Sequence, residues 1–131
     1  MTQDLPLSGL KILVAEDEPD QRDFLVSVLE DGGATVLTAQ NGDDALDRTV
    51  AERPDVLTLD INMPGMDVGE VYERLRSDAD LGQLKICIIS GRPELRGVLF
   101  DRFDKKPDGF LDKPVRAEDL VEMMGTLRGG S

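Results

Sequence analysis

The sequence predicts an α/β fold: a five-stranded parallel sheet between two layers of helices, in a doubly wound (βα)5 sandwich. Two observations lead to this prediction. Five short apolar runs alternate along the 131 residues with five stretches of helical periodicity, and strict alternation of this kind implies right-handed crossovers and a parallel sheet. The apolar runs are also nearly continuous, which is typical of strands buried on both faces.

The first apolar run is Leu10–Ala15, and it ends abruptly in three acidic residues, 16–18. Pro19 stands where a helix can begin, because the first helical residue has no use for an amide hydrogen. The apolar residues predicted to form the inner face of this helix are Phe24, Leu25, Val28 and Leu29. Gly32-Gly33 then ends the helix.

A run rich in β-branched residues, Ala34–Ala39, predicts the second strand. Asn41 is predicted to cap the following helix and Pro54 to end it. The residues expected to face inward from this helix are Ala45, Leu46, Thr49 and Val50. The third run, 56–59, leads directly into Asp60.

A glycine- and proline-containing loop follows Asp60, and the next helix carries Val71, Tyr72 and Leu75. The fourth run is Leu84–Ile89, and it stops at Ser90. Pro93 to Phe103 predicts a weaker helix, short or mobile, because Gly97 interrupts it.

The fifth run, Phe110-Leu111, leads to Asp112-Lys113-Pro114, and a last helix holds Leu120, Val121, Met124 and Leu127. We therefore expect one domain over residues 10–127, an N-terminal extension over residues 1–9 and a loose C-terminal tail over residues 128–131. Only 4% of the residues are aromatic, which predicts an aliphatic core. Cys87, the single cysteine, is expected to be a buried apolar side chain.

The charge balance excludes some classes of function. A net charge of −12 argues against direct binding of nucleic acid, because few cations are available to neutralise phosphates. Acidic clusters instead suit divalent cations and basic protein surfaces. The chain has no histidine, so it uses no imidazole base of its own. No apolar run is long enough to span a membrane and the N-terminus has no signal-peptide pattern, so we expect a cytoplasmic protein.

Polar residues follow four of the apolar runs, at the end where parallel α/β sheets bind ligands. They are Glu16, Asp17, Asp60, Ser90 and Lys113. Each of them alone is more often a turn, cap or surface residue. Together, three carboxylates, a hydroxyl and an ammonium form a chemically matched set. The acids suit Mg²⁺ or Mn²⁺, Lys113 and Ser90 suit phosphate oxygens, and Asp60 is left to act as a nucleophile that forms an acyl phosphate.

From about Leu10 to Leu127 the sequence resembles the response-regulator receiver family of two-component signalling, in its single-domain, chemotaxis-regulator-like form. The segments that carry the resemblance are 12–18, 60–67, 88–91 and 110–114, of which the 60–67 loop is the most specific. The resemblance implies the flavodoxin-like strand order 2-1-3-4-5. It also implies a cis bond between Lys113 and Pro114.

The resemblance further assigns roles to individual residues. Glu16, Asp17, Asp60 and the backbone carbonyl of Asn62 would bind the metal ion, with Asp60 as the phosphoacceptor and Lys113 bridging to the phosphoryl group. Ser90 and Phe110 would form a coupled switch. Asn62 and Arg92 occupy positions that tune the lifetime of the acyl phosphate.

Three features depart from the usual family pattern. Glu16 replaces the more common aspartate. Val68 stands where a glycine normally follows the Met-Asp pair, here Met66-Asp67, and the glycine is displaced by one position to Gly69. These changes put the exact metal position and the geometry of the loop after Asp60 in question.

The resemblance also implies partners. A sensor histidine kinase or a histidine phosphotransfer protein would donate the phosphoryl group, and a downstream protein would read it, with the chain a monomer or a phosphorylation-dependent dimer. Beyond accepting the phosphoryl group and slowly losing it, no enzyme activity is expected.

Three other functions are compatible with a doubly wound sheet or with a receiver-like sequence. An aspartate-nucleophile phosphatase needs an acid two residues after its nucleophile, where this chain has Asn62. A nucleotide or flavin module needs a glycine-rich loop after the first strand, where this chain has Glu16-Asp17-Glu18. A docking-only pseudo-receiver stays open.

Overall fold

The computed structural model describes residues 5–63, 67–101 and 103–129, and it shows the predicted parallel sheet. The strands are β1 (Lys11–Ala15), β2 (Thr35–Ala39), β3 (Val56–Asp60), β4 (Lys85–Ser90) and β5 (Gly109–Asp112). The helices are α1 (Pro19–Asp31), α2 (Gly42–Glu52), α3 (Val68–Ser77), α4 (Leu95–Phe100) and α5 (Ala117–Gly129). The strand order is β2-β1-β3-β4-β5, as the resemblance implied.

β3 lies at the centre of the sheet, and all five of its residues are buried. Its neighbours are β1, with Ala15 opposite Leu59, and β4, with Ile89 opposite Asp60. Every strand pair is parallel, so the carboxyl ends of β1, β3, β4 and β5 share one edge of the sheet. This edge is where the polar residues were predicted to meet.

Helix boundaries follow the local signals in the sequence. Pro19 opens α1, and the Asn41 side chain caps α2 by accepting a hydrogen bond of 2.8 Å from the amide of Asp44. Asp67 caps α3 in the same way, accepting from the amide of Gly69 at 2.7 Å. α3 therefore begins at Val68, and the unusual Val68-Gly69 pair is accommodated within the first helical turn. Residues 64–66 of the preceding loop lie outside the described residues.

Two apolar clusters fill the two sides of the sheet. The cluster beneath α1 and α5 contains aliphatic residues and Cys87, which is fully buried as expected. The cluster beneath the other helices contains aromatic side chains, which corrects the expectation of an aliphatic core. Four of the five aromatic residues meet there, with ring centroids 5.1 to 6.3 Å apart: Tyr72, Phe100, Phe103 and Phe110. The low aromatic content of the sequence does not indicate where in the fold its few aromatic residues lie.

Two residues predicted to face inward are exposed. The exposed fraction is 41% for Phe24 and 52% for Val50. Consecutive helical residues point about 100° apart, so only a limited stripe of each helix contacts the sheet. α1 buries Leu25 and Leu29 fully, and α2 buries Ala45 and Thr49.

α4 is short, as expected, and runs only from Leu95 to Phe100. The side-chain ammonium of Lys106 satisfies carbonyl groups at its C-terminal end, 3.3 Å from the oxygen of Phe100 and 2.6 Å from that of Asp101. The predicted extension to Phe103 was wrong, because the chain leaves the helix at Asp101 to bring Phe103 onto Tyr72.

Both ends of the described chain are held more firmly than the sequence predicted. Leu7 is fully buried in the aliphatic cluster, and its amide donates to the carbonyl of Gly32 at 2.8 Å. Arg128 belongs to α5 and donates to the carbonyl groups of Pro6 and Ser8. The prediction that residue 128 begins a loose tail was therefore wrong. None of the helices in the described ranges has the length and apolar character needed to cross a bilayer.

Candidate functional site

Two carboxylates are buried at the carboxyl edge of the sheet. Asp60 is the last residue of β3 and Glu16 directly follows β1, and their exposed fractions are 2% and 1%. β1 and β3 are hydrogen-bonded neighbours, so these two acids lie side by side. Burying two acids together is unfavourable unless a positive charge joins them.

Lys113 supplies that positive charge from the loop after β5. Its Nζ atom lies 2.7 Å from Oδ2 of Asp60 and 3.5 Å from Oε1 of Glu16. Partial burial acts to lower the pKa of Lys113, but the two carboxylates outweigh it and raise that pKa. The Lys113 side chain therefore stays protonated in the site.

Of the two buried acids, Glu16 has the weaker contacts with donors and cations. Its Oε2 atom accepts from the amide of Glu18 at 3.1 Å, whereas Oε1 is buried and, within the described ranges, has no hydrogen-bond partner. Burial, together with the neighbouring Asp60, raises the pKa of Glu16 to about 7. A buried carboxylate oxygen without a donor is an open coordination position for a cation.

Asp17 completes a group of three acids. Glu16, Asp17 and Asp60 each offer one carboxylate oxygen, and these three oxygens lie within 4.8 Å of one another. Hard oxygen ligands in such a cluster fit Mg²⁺ or Mn²⁺. The amide of Asn62 donates to Oδ1 of Asp60 at 2.9 Å, which fixes the Asp60 carboxylate. The predicted ligation by the Asn62 carbonyl stays a prediction.

Ser90 lies beside this group at the end of β4 and is fully buried. Its hydroxyl oxygen accepts from the amide of Arg92 at 2.8 Å, and its carbonyl accepts from the amide of Lys113 at 2.8 Å. The second hydrogen bond connects the end of β4 to the loop that carries Lys113. The Lys113–Pro114 peptide bond is cis, which confirms the expectation.

Sequence comparison identifies the family. Residues 12–125 match the response regulator receiver domain family. The chain belongs to this family. It is the receiver domain of a response regulator, the class of protein that acts in two-component signalling.

Similar proteins agree with this assignment. The protein PilH of Pseudomonas aeruginosa is 29% identical over 120 residues, which cover 92% of this chain and 98% of PilH. The response regulator MprA of Mycolicibacterium vanbaalenii is 35% identical over 118 residues, and the chain spans about half the length of that relative (50%). The crystal structure of the chemotaxis response regulator CheY4 of Vibrio cholerae shares the fold, with a TM-score of 0.78, 24% identity and coverage of 90% of this chain and 98% of that one.

Family membership gives the acidic cluster and the exposed surface a context. Receiver domains bind Mg²⁺, and in this receiver domain the cluster of Glu16, Asp17 and Asp60 could hold such an ion. Response regulators interact with a kinase or a downstream target.

The predicted switch residue Phe110 is half-buried in this receiver domain. Its ring packs edge-on against Phe100, with centroids 6.1 Å apart, so it rests on the aromatic cluster that also contains Tyr72. Phe110 is opposite Ile88 in the β4–β5 register, two residues before Ser90. The two predicted switch residues therefore belong to adjacent strands.

The two residues predicted to tune phosphate lifetime are both exposed in the receiver domain. Arg92 pairs with Glu94, with Nε 2.8 Å from Oε2, in a solvent-exposed ion pair. Exposed ion pairs of this kind are weak because water screens both charges, so the arginine side chain can leave Glu94 at little cost.

Arg22 is a residue of the site region that sequence reasoning missed. Its guanidinium donates to the carbonyl oxygens of Glu16 and Asp17, the two residues that carry the acidic pair. The sequence gives little indication of this role, because an arginine one turn into an acidic helix is usually an ordinary surface residue.

Proposed function

We propose that this receiver domain accepts a phosphoryl group on Asp60, in a reaction that depends on Mg²⁺ or Mn²⁺, and that the modification changes its contacts with other proteins. The observation that carries the proposal is the arrangement of Asp60. Its carboxylate is buried, 2.7 Å from the Lys113 ammonium, and within reach of the Glu16 and Asp17 oxygens. A carboxylate in such a setting can attack phosphorus and form an acyl phosphate.

The phosphodonor in this proposal is a phosphohistidine on a sensor histidine kinase or a histidine phosphotransfer protein. An oxygen of Asp60 forms the new bond to phosphorus while the bond from phosphorus to the donor's imidazole nitrogen breaks, and the electron pair stays with that nitrogen, which takes a proton. Transfer of this kind depends on positioning and on charge stabilisation. The amide of Asn62 orients the Asp60 carboxylate, and Lys113 stays paired with an oxygen on the reacting group.

Glu16, Asp17, Asp60 and the Asn62 carbonyl would hold the metal ion. When bound, the ion would offset negative charge on the phosphoryl oxygens. Oε1 of Glu16 supports this assignment, because it is buried, has no hydrogen-bond partner within the described ranges and has the Lys113 ammonium only at 3.5 Å.

Ser90 and Phe110 would report the modification. In this proposal the Ser90 hydroxyl, which now accepts from the Arg92 amide, turns to donate to a phosphoryl oxygen. Phe110 then moves further into the aromatic cluster. Asn62 and Arg92 would set how fast water removes the phosphoryl group, since both are exposed beside the site.

The remaining expectations form part of the same proposal. The domain acts as a phosphorylation switch with slow self-dephosphorylation rather than as an enzyme on external substrates. It acts in the cytoplasm, on a downstream protein and not directly on nucleic acid, as a monomer or a phosphorylation-dependent dimer. The domain was predicted over residues 10–127, and the contacts of Leu7 and Arg128 support a slightly longer folding unit.

The test is phosphorylation by acetyl phosphate or a phosphohistidine donor, with and without Mg²⁺, read by intact mass. We expect one phosphate on the wild-type protein, labile to base and dependent on Mg²⁺, and none on Asp60→Asn. Asp20→Asn is the matched control, because Asp20 is an exposed acid in the first turn of α1. Absence of both the phosphate adduct and beryllofluoride binding in the wild type would contradict the proposal and favour a docking-only pseudo-receiver.

A further inference from the structure

Arg22 on α1 contacts the backbone of the two residues that open the acidic cluster. We propose that Arg22 is a positioning residue for the cation site: its guanidinium holds the Glu16-Asp17 backbone in the orientation that directs both carboxylates into the crevice. This inference rests on the proposed function, because it assigns Arg22 to the metal site of that reaction.

The contacts come from a single nitrogen. Nη1 of Arg22 lies 3.0 Å from the carbonyl oxygen of Glu16 and 3.4 Å from that of Asp17. The backbone amide of Arg22 also donates to the carbonyl of Glu18, at 2.9 Å. The first turn of α1 therefore fixes the backbone of Arg22, and the guanidinium extends back over the loop that joins β1 to α1.

These two carbonyl groups lie where the sheet no longer determines the backbone. The last paired residue of β1 is Ala15, which is opposite Ala39 on one side and Leu59 on the other. The Glu16 amide still donates to the carbonyl of Ala39, at 3.0 Å. Beyond it the chain turns, and rotation of the next peptide planes would move the carboxylates of Glu16 and Asp17 together. Arg22 binds both of those planes.

The side chain of Glu16 is not fixed strongly by its own hydrogen bonds. Oε2 accepts a hydrogen bond from the amide of Glu18, whereas Oε1 has no hydrogen-bond partner within the described ranges and only the Lys113 ammonium at 3.5 Å. The direction of this carboxylate therefore depends largely on the backbone that carries it. Residues that orient metal ligands in this indirect way typically change metal affinity about 10- to 100-fold when they are removed.

Lys113 and Arg22 consequently have different parts in the proposal. Lys113 contacts the carboxylate of Asp60 directly, and its loss would affect the reacting group itself. Arg22 contacts carbonyl oxygens, so its loss would loosen the ligands without removing one. The expected result is weaker binding of the cation with the rate at saturating cation nearly unchanged.

Arg48 provides a matched control. It lies on α2, is half-buried as Arg22 is, and its Nη1 donates to the carbonyl of Thr38 in β2 at 2.9 Å. Both arginines thus join a helix to a backbone carbonyl group near the sheet, but only Arg22 contacts the residues of the acidic cluster. Arg22→Met and Arg48→Met remove the guanidinium and keep an apolar stem, and Arg22→Lys keeps a charge and a donor.

The experiment measures Mn²⁺ binding to the full chain by calorimetry or electron paramagnetic resonance, and thermal unfolding in EDTA. We expect Arg22→Met to bind Mn²⁺ about tenfold more weakly than wild type, Arg22→Lys to lose less, and Arg48→Met to bind as wild type does. Acetyl phosphate kinetics across a Mg²⁺ series should show a half-saturating Mg²⁺ concentration raised by about the same factor, with the saturated rate within about twofold.

The outcomes separate this inference from the proposed function. Wild-type Mn²⁺ affinity in Arg22→Met overturns the inference while leaving the proposed function intact. An equal loss of Mn²⁺ affinity in Arg22→Met and Arg48→Met does the same, because it would mean that either substitution loosens the whole fold. Absence of Mn²⁺ binding in the wild type overturns both. If Arg22→Met does not fold in EDTA, Arg22→Lys decides, because wild-type affinity there together with a lowered unfolding temperature would show a purely structural role.

Discussion

Nζ of Lys113 lies 2.7 Å from Oδ2 of Asp60, although 53 residues separate the two in the chain. Both groups are removed from bulk water to different extents, with exposed side-chain fractions of 20% for Lys113 and 2% for Asp60. The ammonium is thus the cation by which the metal-free protein tolerates a buried carboxylate pair.

Replacement of Lys113 by methionine should destabilise the protein in EDTA. Asp60 and Glu16 would lose their shared cation, and breaking a buried ion pair from one side costs about 3 kcal/mol or more. Mg²⁺ should restore part of the loss by binding the folded state. Urea unfolding with EDTA and with Mg²⁺ measures both effects. Lys113→Arg keeps the charge and should lose less. Equal stability of Lys113→Met and wild type in EDTA would contradict the assigned role.

The ion pair between Arg76 and Asp108 should make stability fall in acid. Burial alone would raise the pKa of Asp108, but the Arg76 guanidinium and the Ile86 amide, both at 2.8 Å, outweigh it and lower that pKa below its ordinary 3.8. A carboxyl group with a lowered pKa contributes stability above its unfolded-state pKa and loses it as the pH falls through the folded-state pKa.

Urea unfolding between about pH 7 and about pH 3 tests this contribution, since that range spans the titration of aspartate. Asp108→Asn should be less stable than wild type at neutral pH by about 1 to 3 kcal/mol, and the difference should shrink in acid. Asp80→Asn is the control, because Asp80 is 76% exposed and 3.8 Å from its partner Arg53. A difference that stays constant with pH for Asp108→Asn would count against the ion pair.

The thiol of Cys87 should be unreactive in the folded protein. Burial raises its pKa to about 12, and the side chain is fully enclosed. Because the thiolate is the reactive form, alkylation requires unfolding. Mass spectrometry after iodoacetamide treatment should show an unmodified native protein and full modification in denaturant. Rapid alkylation without denaturant would place the thiol at the surface.

Substitution of Thr58 by valine should stabilise the protein by about 1 kcal/mol. The Oγ1 atom of Thr58 is buried in the middle of β3 and lacks a hydrogen-bond partner in the described part of the chain. Valine has the same shape and no polar atom, so the cost of the unpaired hydroxyl disappears. Thr58→Ser is the matched control, because it keeps the hydroxyl and deletes the methyl group, and it should destabilise by roughly 1 kcal/mol. Denaturant midpoints compare the two, and a valine variant weaker than wild type would refute the prediction.

Leu7 should contribute to stability although it precedes the first strand. Its side chain is fully buried, so Leu7→Ala should cost about 2 to 5 kcal/mol. Leu5→Ala should be nearly neutral, within about 0.5 kcal/mol, because Leu5 is 47% exposed. Thermal unfolding of both variants measures the contrast. Similar losses at the two positions would mean that the N-terminal segment packs differently.

The main features of the site could be predicted because they depend on local pattern and on topology together. Apolar runs that end at Glu16, Asp60 and Ser90 predict buried parallel strands with polar residues at one edge, and parallel pairing places those ends side by side. The aspartate, hydroxyl and lysine motifs at these strand ends then indicated the receiver family. Helix ends were equally local, since Pro19 and Asn41 act through their own backbone geometry and short side chains.

What the sequence by itself determined was thus the order of the strands and helices, the family and the residues at the carboxyl edge of the sheet. Only the tertiary structure decided that Lys113 contacts Asp60, that Arg22 binds the backbone of the acidic pair, and that Phe24 is exposed. It also decided that Tyr72 shares an aromatic cluster with Phe110. The physical reason is range. Periodicity and capping act within a few residues, whereas these contacts depend on how helices pack against the sheet, which local sequence does not encode.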